Sequence, residues 1–506
     1  MFIGGRREVP LIMQPTGGWN AALHPSQIAD NELSQAFNVV YDASTGKLVT
    51  RQGLGVASTT ALGDPITMLY PYVRKDSEGY LMAEAAGKLY HYDFSTSAWV
   101  LVDTLDSTGT PTMTTFNGKL IVADGAFGGL LSWDGSKVDR IEGSPQATIV
   151  FSARGRLVCN MVDDLDAVYM SAPEDETNWD TTSGGAVSIR AGFGDGMKVN
   201  GFAMVSGSLI VSKVARSDGA VVAKKLWRVD MSATASSWVA DDLSLSNAAI
   251  GPHCITGFGN NVYYIDSEGF EALAPTQAYG DIATDPVIGS KVNAVLGQFA
   301  NLADEPRMVK LPSMASVWTL LTRMGAWSQI YTYSPLGGFT EINFATDIYA
   351  VAEFGGKVYL AGESGYLYTL QNRAVDEIEP GVERDVVSVA RFKMITGPGD
   401  LLLTKVILQT NFEWSGTYNI EVYGSDEQEK RLLQTVDFVR GSGADALHDA
   451  LYELADADFP LTGGRVENRE CRAQFRNSGI MLQIRTMNGG RMSISELAAK
   501  LVVVGR

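Results

Sequence analysis

The sequence predicts an all-β chain: a β-propeller of six or seven blades, with an N-terminal arm and hairpin and a C-terminal β-sandwich-like platform. Three observations predict it. Glycine fills 53 of 506 positions, about one in ten against a usual ~7%, which calls for many tight turns and hence many short strands. A strand–turn–strand step recurs: FNGKLIVAD at 116–124, ARGRLVCNM at 153–161, VSGSLIVSK at 205–213, FGNNVYYID at 258–266, FGGKVYLAG at 354–362, and more loosely DSEGYLMAE at 76–84. A third strand follows as GKLYHYD at 87–93, GLLSWDG at 129–135, KLWRVD at 225–230, GFEALAP at 269–275 and GYLYTLQ at 365–371.

The turn positions Gly79, Gly118, Gly155, Gly207, Asn260 and Gly356 are spaced by roughly 40 to 50 residues with one double-length gap, the period of a four-stranded blade. A small antiparallel sheet cannot bury both faces alone, so neighbouring blades must stack and the ring must close. In several units a fourth strand opens at a tryptophan: Tyr90 leads to Trp99, Trp227 to Trp238, and Trp318 to Trp327. The last pair marks a divergent unit inside the gap. The competing reading is a set of ordinary β-sandwiches with chance matches to the step.

Three regions follow. Residues 1–60 form an arm, with Asp30 as the cap of a short helix carrying Leu33, Ala36 and Phe37 on one face. A hairpin then runs through NVVYD, a turn at Ser44-Thr45-Gly46, and KLVTR, and this segment can lend a strand to close the ring. Residues 61–385 are the propeller, ending in the polar connection QNRAVDEIEPGVER with Pro380-Gly381. Residues 386–506 lose the repeat and read as a separate β-sandwich, with one amphipathic helix through Leu447, Leu451 and Leu454.

Composition excludes several function classes. Net charge is −18 and no Lys/Arg-rich patch stands out, so the chain lacks the clustered cations that clamp phosphates or anionic membranes. Cys159, Cys254 and Cys471 are far apart, an odd set with neither metal-ligand spacing nor a disulfide framework, as suits a reducing cytoplasm. His24, His91, His253 and His448 are scattered, which argues against zinc or copper. No run of about 18 apolar residues marks a membrane-spanning segment.

Chemical motifs are wanting. There is no phosphate-binding loop; AGFGDGMK at 191–198 is glycine-rich but lies outside any strand-to-helix unit. Neither H-E-x-x-H nor G-x-S-x-G occurs. Asp163, Asp164 and Asp166 could take calcium but do not match an EF-hand loop, and Glu174, Asp175 and Glu176 read as solvated turn residues. Asp93, Asp134, Asp230 and Asp266 recur near strand ends, as turn-forming carboxylates do. Trp99, Trp238 and Trp327 hold similar repeat positions, which favours packing between blades over sugar stacking. The expectation is therefore no enzyme, no catalytic, cofactor-binding or metal-ligating residues, and no cofactor.

The stretch ADNELSQAFNVVYDASTGKLVTRQGL, residues 29–54, resembles the opening of tail-hub proteins of short-tailed bacteriophages, also called tail nozzle, tail tubular or packaged-DNA stabilisation proteins. The shared features are Asn31-Glu32, Asn38-Val39, Gly46, Arg51 and Gly53, about a tenth of the chain; the C-terminal part departs from the pattern. The resemblance implies a structural virion protein folded in the host bacterial cytoplasm. Copies would form a ring, a homohexamer, below portal and adaptor proteins, beside tail fibres or tailspikes. The ring would extend the DNA ejection channel, its acidic wall passing packaged DNA without sequence-specific binding. The alternatives are a propeller-type glycan-binding or glycan-cleaving tail protein, or a host-derived propeller scaffold with no virion role.

Overall fold

The computed structural model describes residues 8–76, 78–106, 109–243, 246–275, 282–284, 288–304, 306–412, 416–425, 430–438 and 467–504. Seven four-stranded units follow one another round a ring, each unit a simple antiparallel meander. Blade 1 spans 66–104, blade 2 112–140, blade 3 150–190, blade 4 198–242, blade 5 255–284 and blade 6 307–342. Blade 7 takes three strands from 348–371 and its outermost strand, Gly53–Val56, from the N-terminal region. The innermost strands of consecutive blades touch, and Ile348–Phe354 of blade 7 meets Ile66–Val73 of blade 1, so the ring is closed.

Local turn chemistry explains the repeat. In blades 2, 3, 4 and 7 the first two strands are joined by two residues that both have positive φ: Asn117-Gly118, Arg154-Gly155, Ser206-Gly207 and Gly355-Gly356. This type I′ geometry matches the strand twist and wants glycine at its second position. Second strands such as Lys119–Ala123 and Arg156–Asn160 are then buried on both faces, because a neighbouring blade covers each side.

The cores accordingly lie between blades. Tyr72, Met82 and Leu89 of blade 1 pack on Leu120, Val122 and Trp133 of blade 2. Phe116 and Ile121 of blade 2 pack on Val150, Leu157 and Cys159 of blade 3. At the closing seam, Ala350, Tyr359 and Ala361 of blade 7 meet Ile66, Leu81 and Ala83 of blade 1.

Blade 6 is the divergent unit. Its first hairpin uses a four-residue turn, Pro312–Met314 in 3₁₀ conformation followed by Ala315 at φ 46°, so the X-Gly signature is absent. Trp318 lies in its second strand, and Trp327, expected to open a fourth strand, opens the third.

The region 33–37 is a strand and not the expected helix. Leu33–Phe37 pairs antiparallel with 389–392, and its Phe37 pairs in parallel with Glu341 of blade 6. A register shift between Leu33 and Gln35 puts Leu33 and Ala36 on the same buried face, which imitates helical spacing. Asp30 caps nothing helical; its carboxylate accepts from Lys393 Nζ at 2.8 Å. The Val39–Tyr41 and Leu48–Thr50 hairpin forms as expected, and the strand that closes the ring is the one after it.

The polar connection after blade 7 is a second hairpin, Val375–Glu379 with Val382–Asp385, turning at Pro380-Gly381. Beyond it, the 386–506 strands continue the sheet of blade 6 through Leu33–Phe37 and so do not stand apart. The long strand Ser388–Phe412 pairs on one edge with Glu467–Met487, which leads to Gly416–Tyr423 and Lys430–Phe438. On its other edge Met492–Val504 pairs in turn with Glu8–Met13 and with Leu48–Thr50. The helix expected through Leu447, Leu451 and Leu454 lies outside the described residues.

Gly53 sits where the closing strand presses on that second hairpin: a Cβ there would lie 1.9 Å from the Val375 carbonyl oxygen. Backbone cannot swing aside as a side chain can. Gly53→Ala should therefore destabilise by about 1–3 kcal/mol, read as a lower urea midpoint at unchanged m-value.

Candidate functional site

Asn38, Arg51 and Gly53 of the 29–54 stretch lie at the junction where the ring closes and the C-terminal strands begin. Arg51 and Asp376 are buried there, 3% and 2% exposed. Arg51 Nη1 and Nη2 donate to the two Asp376 oxygens at 2.8 and 2.6 Å. The remaining guanidinium protons go to Gln52 O at 2.9 Å, Asn343 O at 2.6 Å and Asn38 Oδ1 at 3.0 Å. All five donors are thus satisfied, and the plane stacks on Phe344 with 4.2 Å to the ring centroid.

Asp376 also accepts from the backbone N–H of Leu54 at 3.0 Å and of Ala345 at 3.0 Å. Its neighbour Glu377 takes the N–H of Val56 at 3.2 Å. These carboxylates cap N–H groups on the free edge of the closing strand.

Asn38 holds φ 54°, a conformation asparagine tolerates better than most. Its side chain donates to Val387 O at 2.8 Å and accepts from Asn343 N–H at 2.8 Å. Glu32, buried, accepts from Asn20 Nδ2 at 2.8 Å and pairs with Lys291 at 2.8 Å. Gly46, at φ 66°, completes the hairpin turn that Asp42 organises by accepting from the N–H of Ser44 and Thr45. Asn31 donates from Nδ2 to Thr16 Oγ1 at 3.3 Å and its carbonyl accepts from the Gly17 N–H at 2.8 Å, and Val39 is buried in the core with Leu33 and Ala36.

The acidic clusters become ion pairs. Asp164 pairs bidentately with Arg190, and Asp166 accepts from Lys213 at 2.7 Å. The fully buried Lys213 ammonium also reaches Asp195 at 2.9 Å and Ala191 O at 2.6 Å, so the AGFGDGMK loop is a cage for a lysine from the next blade. Glu176 accepts from Asn117 and from Lys119, each at 2.8 Å, across blades 2 and 3. Asp175 takes the N–H of Thr177, while Glu174 lies beside Gly155 at positive φ.

Asp93, Asp134 and Asp230 occupy one position, the turn from third to fourth strand, each accepting the N–H two residues on. Hydrogen bonds from Ser95 and Thr96 hold Asp93 down to about 2. Asp266 differs: it is buried at the end of a second strand and pairs with Lys224 at 2.5 Å.

Trp99 packs edge-on to Tyr92 at the seam of blades 7 and 1, Trp238 lies under Arg156 between blades 3 and 4, and Trp327 meets Phe299 of the Asn293–Leu302 helix. Cys159 and Cys254 are buried, and burial pushes the Cys159 thiol up. No helix among the described residues is long and apolar enough to cross a membrane.

Two features have no sequence signal. Arg307, opening the inner strand of blade 6, donates to Tyr349 O of blade 7 at 3.2 Å and to Thr110 Oγ1 beside blade 2 at 3.2 Å. Blades 6 and 2 are on opposite sides of the ring, so this side chain bridges the hub. A cleft of about 510 Å³ between blades 6 and 7 is lined by Trp327, Gln329, Asn343, Asp347 and Glu363 among others. Burial and then the Glu363 charge raise the Asp347 carboxyl, while Tyr349 donates to Glu363 at 2.7 Å. Asp347 and Glu363 sit at the open ends of the first hairpin of blade 7, where the Glu363 N–H donates to the Asp347 carbonyl at 3.1 Å, a pairing visible only once the hairpin register is known.

The strand pairings define a β-propeller. No family model matches the sequence. No curated protein matches it. Among solved structures, YCF48 from Cyanidioschyzon merolae is 12% identical, with 63% of this chain and 98% of that chain covered and a TM-score of 0.40. The extracellular domain of the one-component system BT4673 from B. thetaiotaomicron is 10% identical, covering 81% of this chain and 59% of that one, with a TM-score of 0.43. A β-propeller domain from Myceliophteria thermophila is also 10% identical, covering 63% and 100%, with a TM-score of 0.40.

Truncating Arg51 leaves Asp376 buried and unpaired. Arg51→Ala should cost about 3–5 kcal/mol in denaturant unfolding, and Arg51→Lys should recover only part of it, since an ammonium cannot span both carboxylate oxygens and both carbonyls. The ion pairs between and within blades also set an acid limit. For Asp124, Asp166 and Glu176, burial alone raises the carboxyl, but Arg140, Lys213 and Lys119 respectively bring each below its ordinary value. A depressed carboxylate stabilises above its unfolded pKa and loses that contribution as pH falls through the folded one. Thermal midpoints should therefore drop as pH falls below about 4, and Lys213→Met should make that acid slope shallower.

Proposed function

We propose that this protein is a structural hub or nozzle of a short-tailed phage tail, with no chemistry of its own, built to form a ring that continues a DNA channel. The observation that supports the reading is the junction: of the residues in the stretch that resembles tail-hub proteins, Asn38, Arg51 and Gly53 lie where the propeller closes and the C-terminal strands begin. The ring is a homohexamer in this proposal, sitting against portal and adaptor proteins and tail fibres or tailspikes.

Arg307 bridges the hub of the propeller, so DNA would pass between copies and not along the axis of any one propeller. A net charge of −18 on each copy supplies an acidic surface that repels phosphate and lets DNA slide. Purified protein should form closed rings by negative-stain electron microscopy, and labelled copies should decorate the tail below the portal in intact particles. A chain that stays monomeric at all concentrations and is missing from tails would overturn the proposal.

A glycan-binding or glycan-cleaving role is the second reading, favoured by the Asp347–Glu363 cleft with Trp327 in its wall. It requires specific glycan capture or turnover that Glu363→Gln abolishes while the melting curve is preserved.

A further inference from the structure

Lys213, in the second strand of blade 4, is the most deeply buried cation of the described ion pairs. Its side chain has no exposure, whereas the lysine next in burial, Lys224, keeps 14%. Its Nζ faces Asp166 Oδ1 at 2.7 Å, Ala191 O at 2.6 Å and both oxygens of Asp195 at 2.9 Å. Equal distances to the two oxygens put Nζ within about 3.5 Å of the Asp195 carboxyl carbon, the separation of a near-attack pair.

The loop that carries Asp195 is held in place from several sides. The Ala191 N–H donates to Asp166 O at 3.0 Å, and the Val199 N–H donates to Leu165 O at 3.0 Å. Within the loop the Gly194 N–H donates to Asp166 Oδ2 at 2.8 Å, and the Met197 N–H to Asp195 Oδ1 at 2.9 Å. A Cβ on Gly192 would lie 2.8 Å from Asp195 Oδ2 and 2.9 Å from the Trp227 ring, so the loop closes over the lysine only with glycine there. An amine, a carboxyl group and a second carboxylate are thus fixed in one largely dry cage, the Asp166 and Asp195 side chains keeping 11% and 24% exposure. Fixed geometry of this kind turns a sluggish condensation of amine and acid into a fast intramolecular one.

We propose that Lys213 and Asp195 condense to an intramolecular isopeptide bond that staples blade 4 to the loop leaving blade 3, with Asp166 as proton carrier. The folded chain with its ion pair is the precursor. One proton of the Lys213 ammonium passes to Asp195 Oδ2, leaving a neutral amine beside a neutral carboxyl group. The nitrogen lone pair attacks Cγ, and charge builds on Oδ1, where the Met197 N–H donates. Asp166 takes a second proton from the nitrogen and returns it to Oδ2, which leaves as water; the third proton stays on the amide nitrogen. The N–Cγ bond forms, the Cγ–Oδ2 bond breaks, nothing is oxidised or reduced, and Asp166 is regenerated. Bonding removes two opposite charges from a buried place, and their desolvation cost goes with them. The staple closes a covalent loop round the inner strand of blade 4, Lys198–Val205, which restricts the unfolded chain. The proposal stands apart from the ring-forming reading.

Intact-mass spectrometry of the denatured full-length chain, followed by a tryptic digest, is the test. The unaltered chain should be lighter than its sequence by one water. Trypsin should fail to cut after Lys213 and should release a branched product joining 191–198 to 199–216. Asp195→Ala should keep the full sequence mass and regain the cut after Lys213. Asp166→Asn should retain at least about ten-fold more unbonded chain than the unaltered protein, as loss of a general acid–base demands. A fully bonded Asp166→Asn chain overturns the carrier role. A folded, unaltered chain that holds its full mass after days at room temperature, with an ordinary cut after Lys213, overturns the bond. So does a water loss that hydroxylamine reverses while Lys213 is free, because Asp195-Gly196 has then closed on its own backbone as a succinimide.

Discussion

The rest of the structure depends on one buried guanidinium. A propeller is a ring, and a ring fails wherever its last unit is not held to its first. Here the last blade borrows its outer strand from residues 53–56, far away in sequence, and the chain-entropy cost of that pairing has to be met locally. Arg51 does so by joining the blade 6–7 loop, the closing strand's own segment, the 375–385 hairpin and Asn38 through five hydrogen bonds and one aromatic face. A lysine has no fork to span these partners, and an apolar residue would leave Asp376 buried without a counter-charge.

Between the blades a second device works with the apolar cores. Cations from one blade reach carboxylates or carbonyls of the next: Lys119 to Glu176, Lys213 to Asp166 and Asp195, Lys224 to Asp266, Arg307 to Tyr349 O. Apolar contact between two flat sheets resists separation but does little to resist sliding. A charge-assisted hydrogen bond is directional and specifies the offset of one blade on another. The acidity of the chain is thus partly structural, since several carboxylates serve as sockets for neighbouring cations.

What was legible in the sequence is what short-range geometry enforces. Two-residue turns with positive φ demand glycine, so Gly118, Gly155, Gly207 and Gly356 announce their hairpins, and the strands they join are given by alternation and β-branching. Blade 6 escapes because Ala315 follows a 3₁₀ turn and needs no glycine signature. Leu33, Ala36 and Phe37 mislead because a shift in pairing register mimics helical spacing, and only the partner strand at 389–392 reveals it. The 375–385 hairpin reads as a linker because its strands carry mostly charged residues. Those charges are there to cap the closing strand, a task visible only once Gly53–Val56 lies alongside. The contacts of the hub-bridging Arg307 are likewise a product of closure, since Thr110 and Tyr349 reach it from far apart in the chain.

Closure also decides where function can reside. Second strands are covered on both sides by neighbouring blades, and the hub is bridged by Arg307, so neither offers a surface to a partner. The rim beside blade 6 is occupied by the sheet that continues into the C-terminal strands. What remains are loops, free to vary because the strands beneath them are already over-determined by packing.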